Sequence, residues 1–182
     1  MTVSYMEIRL LSILHDTTVD GPGLRTSVYC AGCAHQCPGC HNPQSWPFDA
    51  GRPTPIKDIL DEILSDPFAD VTFTGGDPFY QAEAFAALAR LIHAHSQKTI
   101  WCYTGFHYEQ ILAHPTLKAL LQETDVLVDG PFVASLKDES LVFRGSSNQR
   151  IIDVRESLLQ ETIIPHDLHI FSPFMKISSQ KV

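Results

Sequence analysis

The chain has 182 residues, of which 44% are hydrophobic and 19% charged, so it has the length and composition of one soluble globular domain. Thirteen basic and 21 acidic residues give a formal net charge of −8, and the basic residues form no cluster, which excludes the electrostatic footprint of a nucleic-acid-binding protein. No apolar run approaches the roughly 20 residues that a membrane span requires, and we expect a cytoplasmic protein that contacts neither nucleic acid nor membrane.

The first predicted elements are two strands joined by a turn. Residues 8–14 are mostly apolar but include Arg9 and Ser12, and no basic leader or small-residue cleavage site accompanies them. They therefore indicate a strand rather than a signal peptide. Residues 25–31 form the second predicted strand, and Asp20-Gly21-Pro22-Gly23 is the turn between the two.

A helix is predicted after the Pro- and Gly-containing connection of residues 42–52. Thr54 is the expected N-cap and Pro55 the expected first helical residue, because a side-chain oxygen and a fixed φ both favour a helix start. Helical spacing predicts one apolar face on this helix, made of Ile56, Ile59, Leu60, Ile63 and Leu64.

The rest of the chain continues to alternate strand-like and helix-like segments. Residues 70–74 form a predicted strand that runs into Gly75-Gly76. The elements that follow are a helix at 81–95, a strand at 99–103, helices at 108–112 and 116–122, and strands at 125–128 and 149–154. Residues from 155 onward carry little signal, and we expect a partly ordered tail or a peripheral element there.

Strands separated by helices predict βαβ units, and hence an α/β fold with a parallel sheet. Such folds place their sites at the C-terminal ends of the strands. Three unusual loops each follow a predicted strand, namely the cysteine-containing loop after residue 31, Gly75-Gly76-Asp77 and Asp129-Gly130. The simplest geometry is one pocket that all three loops line.

Four of the five cysteines lie within eleven residues, whereas disulfide scaffolds spread their cysteines to close distant loops. Cys33, Cys37 and Cys40 have C-x3-C-x2-C spacing, with Gly39 available for a tight turn and the ring of His41 next in the sequence. Thiolates are soft ligands that suit iron–sulfur clusters or zinc. Three of them on one loop can hold three corners of a cubane 4Fe-4S cluster and leave the fourth iron open to another ligand.

A zinc site is the alternative interpretation of this loop. Structural zinc sites usually use two separated cysteine pairs, and no second pair follows here, because Cys102 stands alone. Cys30 would extend the spacing, but it lies within a predicted strand, where a free cysteine packs in the core. A ferredoxin-like electron carrier is a further alternative, and it would need four local ligands for each cluster.

The cysteine loop resembles the signature of the radical S-adenosylmethionine (radical SAM) superfamily. Gly75-Gly76-Asp77-Pro78 is similar to the glycine motif of that superfamily, usually Gly-Gly-Glu-Pro, and Asp77 keeps the carboxylate. Within the superfamily, the chain resembles the activating enzymes of anaerobic ribonucleoside-triphosphate reductase, which activate a glycyl-radical enzyme. The other segments that carry this resemblance are Asp20-Gly21-Pro22-Gly23 with Arg25, Gly32, Trp46, Trp101, Tyr103-Thr104-Gly105, Val128-Asp129-Gly130 and Arg144-Gly145-Ser146-Ser147-Asn148-Gln149.

The resemblance implies an incomplete parallel (β/α)6-type radical SAM barrel, with a core domain at residues 1–155 and a C-terminal extension at 156–182. It implies two cofactors, a 4Fe-4S cluster held by Cys33, Cys37 and Cys40, and S-adenosylmethionine bound at the fourth iron. The implied reaction is that of an oxidoreductase. One electron cleaves S-adenosylmethionine to methionine and a 5′-deoxyadenosyl radical, which takes a hydrogen atom from a glycine of the reductase. An open side of the barrel would let that glycine loop enter.

The resemblance also implies cofactor contacts around the glycine motif. Gly75 and Gly76 would let the backbone approach the methionine part of S-adenosylmethionine, and Asp77 would bind its ammonium group. The alternatives from the residues alone are an ordinary strand-to-helix turn for the glycines and a helix cap for Asp77.

Further cofactor contacts are implied on the neighbouring loops. Gly39, Cys40 and His41 would touch the adenine end, although His41 could equally shield the cluster by packing. Asp129 would contact the cofactor or a cation, the alternative being a turn residue. The polar run at residues 144–149 faces the cofactor, the partner or solvent.

The implied partners are the large subunit of anaerobic ribonucleoside-triphosphate reductase and an electron donor such as a flavodoxin or ferredoxin. One rival hypothesis is an activator of another glycyl-radical enzyme, such as pyruvate formate-lyase, and a related one is a radical SAM enzyme acting on a small molecule. A non-catalytic zinc- or iron–sulfur-binding module is the rival from a different class. Metal content separates that module from the enzymes.

Overall fold

The structure, a computed structural model, describes residues 6–168 of the chain. These residues form a mixed α/β fold around one seven-stranded sheet. The strands are β1 (Glu7–Thr17), β2 (Arg25–Cys30), β3 (Arg52–Pro55), β4 (Asp70–Gly75), β5 (Ile100–Tyr103), β6 (Val126–Asp129) and β7 (Arg150–Asp153). The helices are α1 (Ile56–Ser65), α2 (Ala82–His95), α3 (Tyr108–Leu112), α4 (Pro115–Leu121) and α5 (Val154–Gln160).

The order of strands in the sheet is β3-β1-β2-β4-β5-β6-β7. Strands β2, β4, β5 and β6 are parallel, whereas β1 is antiparallel to both β2 and β3, and β7 is antiparallel to β6. Within residues 6–168 no ladder joins β3 to β7, so the sheet stays open. The sequence predicts a parallel sheet, and four of the seven strands are parallel; the (β/α)6-type barrel stays a prediction.

The two faces of the sheet bury different side chains. On one face the apolar side of α1 packs with α2 and α4 over Val71 and Phe73 of β4. On the other face Trp101, Val126 and Val128 form a smaller apolar cluster, which Phe143 from a later loop covers in part. This alternation follows from the period of two in a strand, because successive side chains point to opposite faces.

The predicted helix start at Thr54 is wrong. Thr54 pairs with Ile8 in the antiparallel β3–β1 ladder, and α1 begins at Ile56. The residue that precedes α1 is Pro55, and it offers no side-chain cap. The segment has Pro53 and Pro55 on an edge strand, a place where a sheet tolerates residues without an N–H donor.

The C-terminal part contains a helix that the sequence analysis did not predict. Helix α5 begins after β7, where the side chain of Asp153 accepts a hydrogen bond from the N–H of Glu156 at 2.9 Å. It runs across the proposed boundary at residue 155, and Pro165 then forms a bridge with Ile152. Residues 169–182, most of the predicted extension, lie outside the described residues. In the described part of the chain, no helix has the length and apolar character needed to cross a bilayer.

Candidate functional site

A pocket of about 230 Å³ lies at the C-terminal ends of the parallel strands. The cysteine loop that follows β2 forms one wall, and the ends of β4, β5 and β6 with their loops form the others. Six of the nine predicted site residues line it, namely Cys33, Cys37, Cys40, His41, Gly75 and Gly76. Gly39, Asp77 and Asp129 are not among the lining residues.

The cysteine loop presents three thiols of unequal exposure. Cys33 is buried, with 9% of its surface accessible, whereas Cys37 and Cys40 are half-buried. A tight turn joins the latter two, because the N–H of Cys40 donates to the carbonyl of Cys37 at 3.0 Å while Gly39 has φ of +78°. The N–H of Asn42 donates to Sγ of Cys40 at 3.3 Å. Gly39 thus shapes the turn of the loop. A Cβ at this position would lie 3.4 Å from the ring of Phe132, in ordinary van der Waals contact.

The start of the loop is fixed to the segment that follows it. The N–H of Gly32 donates to the carbonyl of Ser45 at 2.7 Å, and the N–H of Cys33 donates to the carbonyl of Trp46 at 3.1 Å. Ser45, which is 1% exposed, also donates through Oγ to the carbonyl of Gly75 at 3.1 Å. These bonds hold the cysteine loop against the end of β4.

Gly75 and Gly76 allow that close approach. Gly75 has φ of +105°, and a Cβ there would lie 2.5 Å from the nitrogen of Cys30. A Cβ on Gly76 would lie 2.7 Å from the carbonyl oxygen of Gly32. Both glycines therefore let β4 meet the chain around the cysteine loop, and they also line the pocket. Their contact with a cofactor stays a prediction.

Asp77 is a buried hub that is bound by the chain itself. Its carboxylate is 1% exposed, and Oδ1 accepts a hydrogen bond from the N–H of Phe79 at 2.9 Å, which caps the short 3-10 helix Pro78–Gln81. Oδ2 accepts hydrogen bonds from Oγ1 of Thr104 at 2.9 Å and from the N–H of Gly105 at 3.0 Å. The capping role that the sequence left open is therefore present, together with a link to the end of β5.

Asp129 is also buried and occupied by the chain. Its Oδ2 accepts a hydrogen bond from the N–H of Tyr108 at 2.8 Å, at the start of α3, and Oδ1 accepts one from Nε of Arg150 at 2.9 Å. Arg150 also pairs with Glu109 at 3.0 Å and lowers the pKa of that carboxyl to about 2. Asp129 thus joins β6, α3 and β7 beneath the pocket rather than facing into it.

The two remaining cysteines are separate from this site. Cys30 in β2 and Cys102 in β5 are both 0% exposed and belong to the main apolar core. Burial raises the pKa of both thiols, which disfavours the thiolate form that binds metal. The sequence-based interpretation of these two cysteines as core residues agrees with their positions.

The donor set fits a 4Fe-4S cluster. Three thiols from one loop face a pocket that backbone glycines and aromatic rings otherwise line, and thiolates are the usual ligands of such clusters. Among residues 6–168, no three His, Cys, Asp or Glu side chains are grouped to enclose one metal ion. A cubane does not require such convergence, because each thiolate binds a different iron atom.

Several pocket residues were not assigned by the sequence analysis. His35, Tyr103, Thr104, Gly105 and Phe132 line the pocket. Gln149, from the polar run whose direction the sequence left open, lines it too. The ring of Phe132 lies 5.9 Å from that of His41. The polar run at 144–149 turns inward rather than into solvent, since Gln149 accepts from the N–H of Gly145 at 2.9 Å and donates to the carbonyl of Gly130 at 3.0 Å. The side-chain amide of Gln149 can donate and accept hydrogen bonds, and this was the one sequence signal for such an inward position.

Comparisons with known proteins agree with this site. A family model described as a 4Fe-4S single cluster domain matches residues 19–152. The anaerobic ribonucleoside-triphosphate reductase-activating protein of Salmonella typhimurium (strain LT2) is 38% identical over 149 residues, covering 75% of this chain and 93% of the relative. The protein of the same name from Escherichia coli (strain K12) is 37% identical with the same coverage, and that of Enterobacteria phage T4 is 33% identical, covering 73% of this chain and 86% of the relative. The chain therefore belongs to the family of anaerobic ribonucleoside-triphosphate reductase-activating proteins, with a 4Fe-4S single cluster domain.

Proposed function

We propose that this protein is a radical SAM activase that generates the glycyl radical of anaerobic ribonucleoside-triphosphate reductase. The observation that carries the proposal is the meeting of three loop thiols with the glycine-rich ends of β4 and β6 in one pocket. Family membership supplies the partner, because the relatives are named for the activation of that reductase.

The residues around the pocket would each contribute to holding the cofactors. Cys33, Cys37 and Cys40 would ligate three irons of the cluster and leave the fourth for the amino and carboxylate groups of S-adenosylmethionine. When bound, the two cofactors would supply the radical chemistry: one-electron cleavage of a carbon–sulfur bond of S-adenosylmethionine, followed by abstraction of a hydrogen atom from a glycine. Gly75 and Gly76, which both line the pocket, would hold the methionine end.

The aromatic walls of the pocket suit the opposite end of the cofactor. His41 and Phe132 lie on one side of the pocket, next to the turn that Gly39 makes. We assign the adenine to this side, where rings offer stacking surfaces. Asp77 and Asp129 act through the chain in this account, because their oxygens already accept hydrogen bonds from the ends of β5, α3 and β7.

The partners follow from the same chemistry. The large subunit of the reductase must insert its glycine loop at the open mouth of the pocket, where Cys37, Cys40 and His41 are accessible. A one-electron donor such as a flavodoxin or ferredoxin must reduce the cluster. Both requirements agree with the reducing cytoplasm that the sequence predicts.

The test is the formation of a glycyl radical on the reductase. The protein is reconstituted with iron and sulfide under anaerobic conditions, reduced with dithionite, and mixed with S-adenosylmethionine and the reductase, and the radical is measured by EPR. Pyruvate formate-lyase, with the same protein, is the matched alternative partner. We expect a glycyl-radical signal on the reductase and none with the Cys37→Ala variant.

Two results would overturn the proposal. A signal on pyruvate formate-lyase without one on the reductase would make the rival activator the better assignment. A protein that holds a full cluster yet forms neither 5′-deoxyadenosine nor a radical on either partner would indicate an electron carrier or a structural module.

A further inference from the structure

His35 occupies a specific position between two of the cysteine ligands. Its ring packs edge-on against Phe106 at a centroid distance of 4.7 Å and lies 5.6 Å from Tyr80. Its side chain is 19% exposed, although it belongs to a loop whose neighbours Ala34 and Gln36 are exposed. His35 is therefore a half-buried anchor of the loop between two exposed neighbours.

The polar end of this ring meets Asp77. Nε2 of His35 lies 3.1 Å from Oδ2 of Asp77, but it is not aligned for a hydrogen bond, and it is buried without another partner. The same carboxylate holds Thr104 and Gly105 at the end of β5. The buried carboxylate of Asp77 thus connects the cysteine loop to the ends of β4 and β5.

The ring of His35 packs directly against the backbone of Gly105. A Cβ at this position would lie 2.5 Å from Cδ2 and 2.8 Å from Nε2 of His35. Its φ is not in the left-handed region that only glycine favours, so the close approach of His35 is what requires a glycine here.

The anchored segment turns its backbone toward the first cluster cysteine. Gln36 adopts a left-handed conformation with φ of +46°, which is unusual for a residue with a side chain. Burial raises the pKa of the Cys33 thiol, and the backbone N–H groups of His35 and Gln36 act against that rise. The orientation of these two amides depends on where the loop is held.

We propose that His35 is a positioning residue for the cluster: by docking beside Asp77 between Tyr80 and Phe106, it fixes the loop between Cys33 and Cys37 and so the position of both thiols. This role rests on the proposed function only in that Cys33 is a cluster ligand. Hydrogen bonds to ligand sulfurs tune the reduction potential of iron–sulfur clusters. His35 therefore sets the potential at which the cluster accepts its electron, without touching the reacting atoms.

The first test uses the full chain without a cluster and measures the rate at which iodoacetamide alkylates each cysteine, read by mass spectrometry. In the wild type, Cys33 reacts more slowly than Cys37 and Cys40, because it is buried. His35→Ala releases the loop and exposes Cys33, so its rate rises about tenfold, which corresponds to a loss of about 1.4 kcal/mol of the free energy that holds the loop closed. Gly105→Ala leaves His35 in the sequence but pushes its ring out of place, so we expect the same increase in the rate at Cys33. His93→Ala on α2 is the control and changes none of the rates.

The second test measures the midpoint potential of the reconstituted cluster by EPR-monitored redox titration. A released loop carries its N–H groups away from the cluster sulfurs and so makes the reduced cluster less stable. His35→Ala and Gly105→Ala therefore shift the potential to more negative values, and His35→Gln, which keeps a polar group beside Asp77, restores part of the shift. Thermal unfolding shows whether the variants are folded. The positioning role would be overturned if folded variants kept the wild-type alkylation rate at Cys33 and the wild-type potential. Failure of the wild type to hold a cluster would overturn the proposed function instead, and the alkylation test would still decide the role of His35.

Discussion

The two ends of the parallel strands are built in opposite ways. At the C-terminal ends, glycines and a loop of cysteines leave a pocket, and the buried carboxylates of Asp77 and Asp129 brace its loops from behind. At the N-terminal ends, one buried arginine closes the space between the strands. In parallel α/β folds the first end carries function and the second carries stability, and we expect this chain to divide the two in the same way.

Arg25 is the residue that closes the N-terminal end. It is 1% exposed, and its guanidinium donates to Oγ1 of Thr72 at 2.7 Å and to the carbonyls of Pro22, Val71 and Thr99 at 3.1, 2.6 and 3.2 Å. It also lies 5.6 Å from the centre of the Trp101 ring. Burial lowers the pKa of Arg25 to about 10, so the group stays charged at neutral pH. One side chain thus ties β2, β4 and β5 together.

The largest effect on stability is expected from Arg25→Met. This change leaves buried carbonyls without a donor, and it lowers the free energy of unfolding by about 3–5 kcal/mol. Urea unfolding of the protein without a cluster measures the loss. Arg90→Met is the control, since Arg90 is 54% exposed and pairs with Glu123 at 3.0 Å, and it costs less than about 1 kcal/mol. Equal losses for the two variants would contradict the stabilising role of Arg25 at the N-terminal end.

A smaller loss of stability is expected from Gly75→Ala at the pocket end. Both the positive φ and the 2.5 Å approach of Cys30 oppose a side chain there, so the cost is about 2–4 kcal/mol. Gly23→Ala is the matched variant, because Gly23 also has positive φ but nothing lies within 4 Å of its Cβ position. It loses only about 1–2 kcal/mol. Thermal unfolding compares them, and a Gly23→Ala loss as large as that of Gly75→Ala would argue against the close approach at Gly75.

The smallest effect is expected from the exposed ion pair of Glu109 with Arg150. Arg150 lowers the pKa of Glu109 from 4.5 to about 2, so the pair stabilises the fold above pH 4.5, and this contribution disappears as the pH falls toward 2. Glu109 is 60% exposed, and solvent screening limits the cost of Glu109→Gln at pH 7 to less than about 1 kcal/mol. Urea unfolding of both proteins at pH 7 and pH 3 shows whether the difference shrinks in acid; a difference that grows would contradict the sign.

Local patterns predicted most of the elements and the cysteine loop. The spacing of Cys33, Cys37 and Cys40 is a property of one short segment, and the apolar periodicity of α1 and α2 is equally local. Strand β3 was missed because a Thr-Pro pair before an apolar stripe is typical of a helix start, whereas its strand conformation depends on pairing with the distant β1. The antiparallel direction of β7 depends on the long connection after β6, whose path no local pattern reveals.

The roles of polar site residues were harder to predict for the same reason. Asp77 and Asp129 were recognised as carboxylates at strand ends, but their partners come from Thr104, Gly105 and Arg150, far away along the chain. Nothing near His35 in the sequence shows that its ring will meet Asp77. Residues whose function depends on tertiary contacts need the structure.

The central claim is that the loop cysteines hold the cluster and the core cysteines do not. The most direct test compares Cys37 in the loop with Cys30 in the core, which lie close together in the sequence. Iron, sulfide and zinc are measured after anaerobic reconstitution, and 5′-deoxyadenosine is measured after reduction and addition of S-adenosylmethionine. We expect about four irons and 5′-deoxyadenosine for the wild type and for Cys30→Ala, and neither a stable cluster nor 5′-deoxyadenosine for Cys37→Ala. A full cluster in Cys37→Ala, its loss in a folded Cys30→Ala, or one zinc in place of the cluster in the wild type would contradict the central claim.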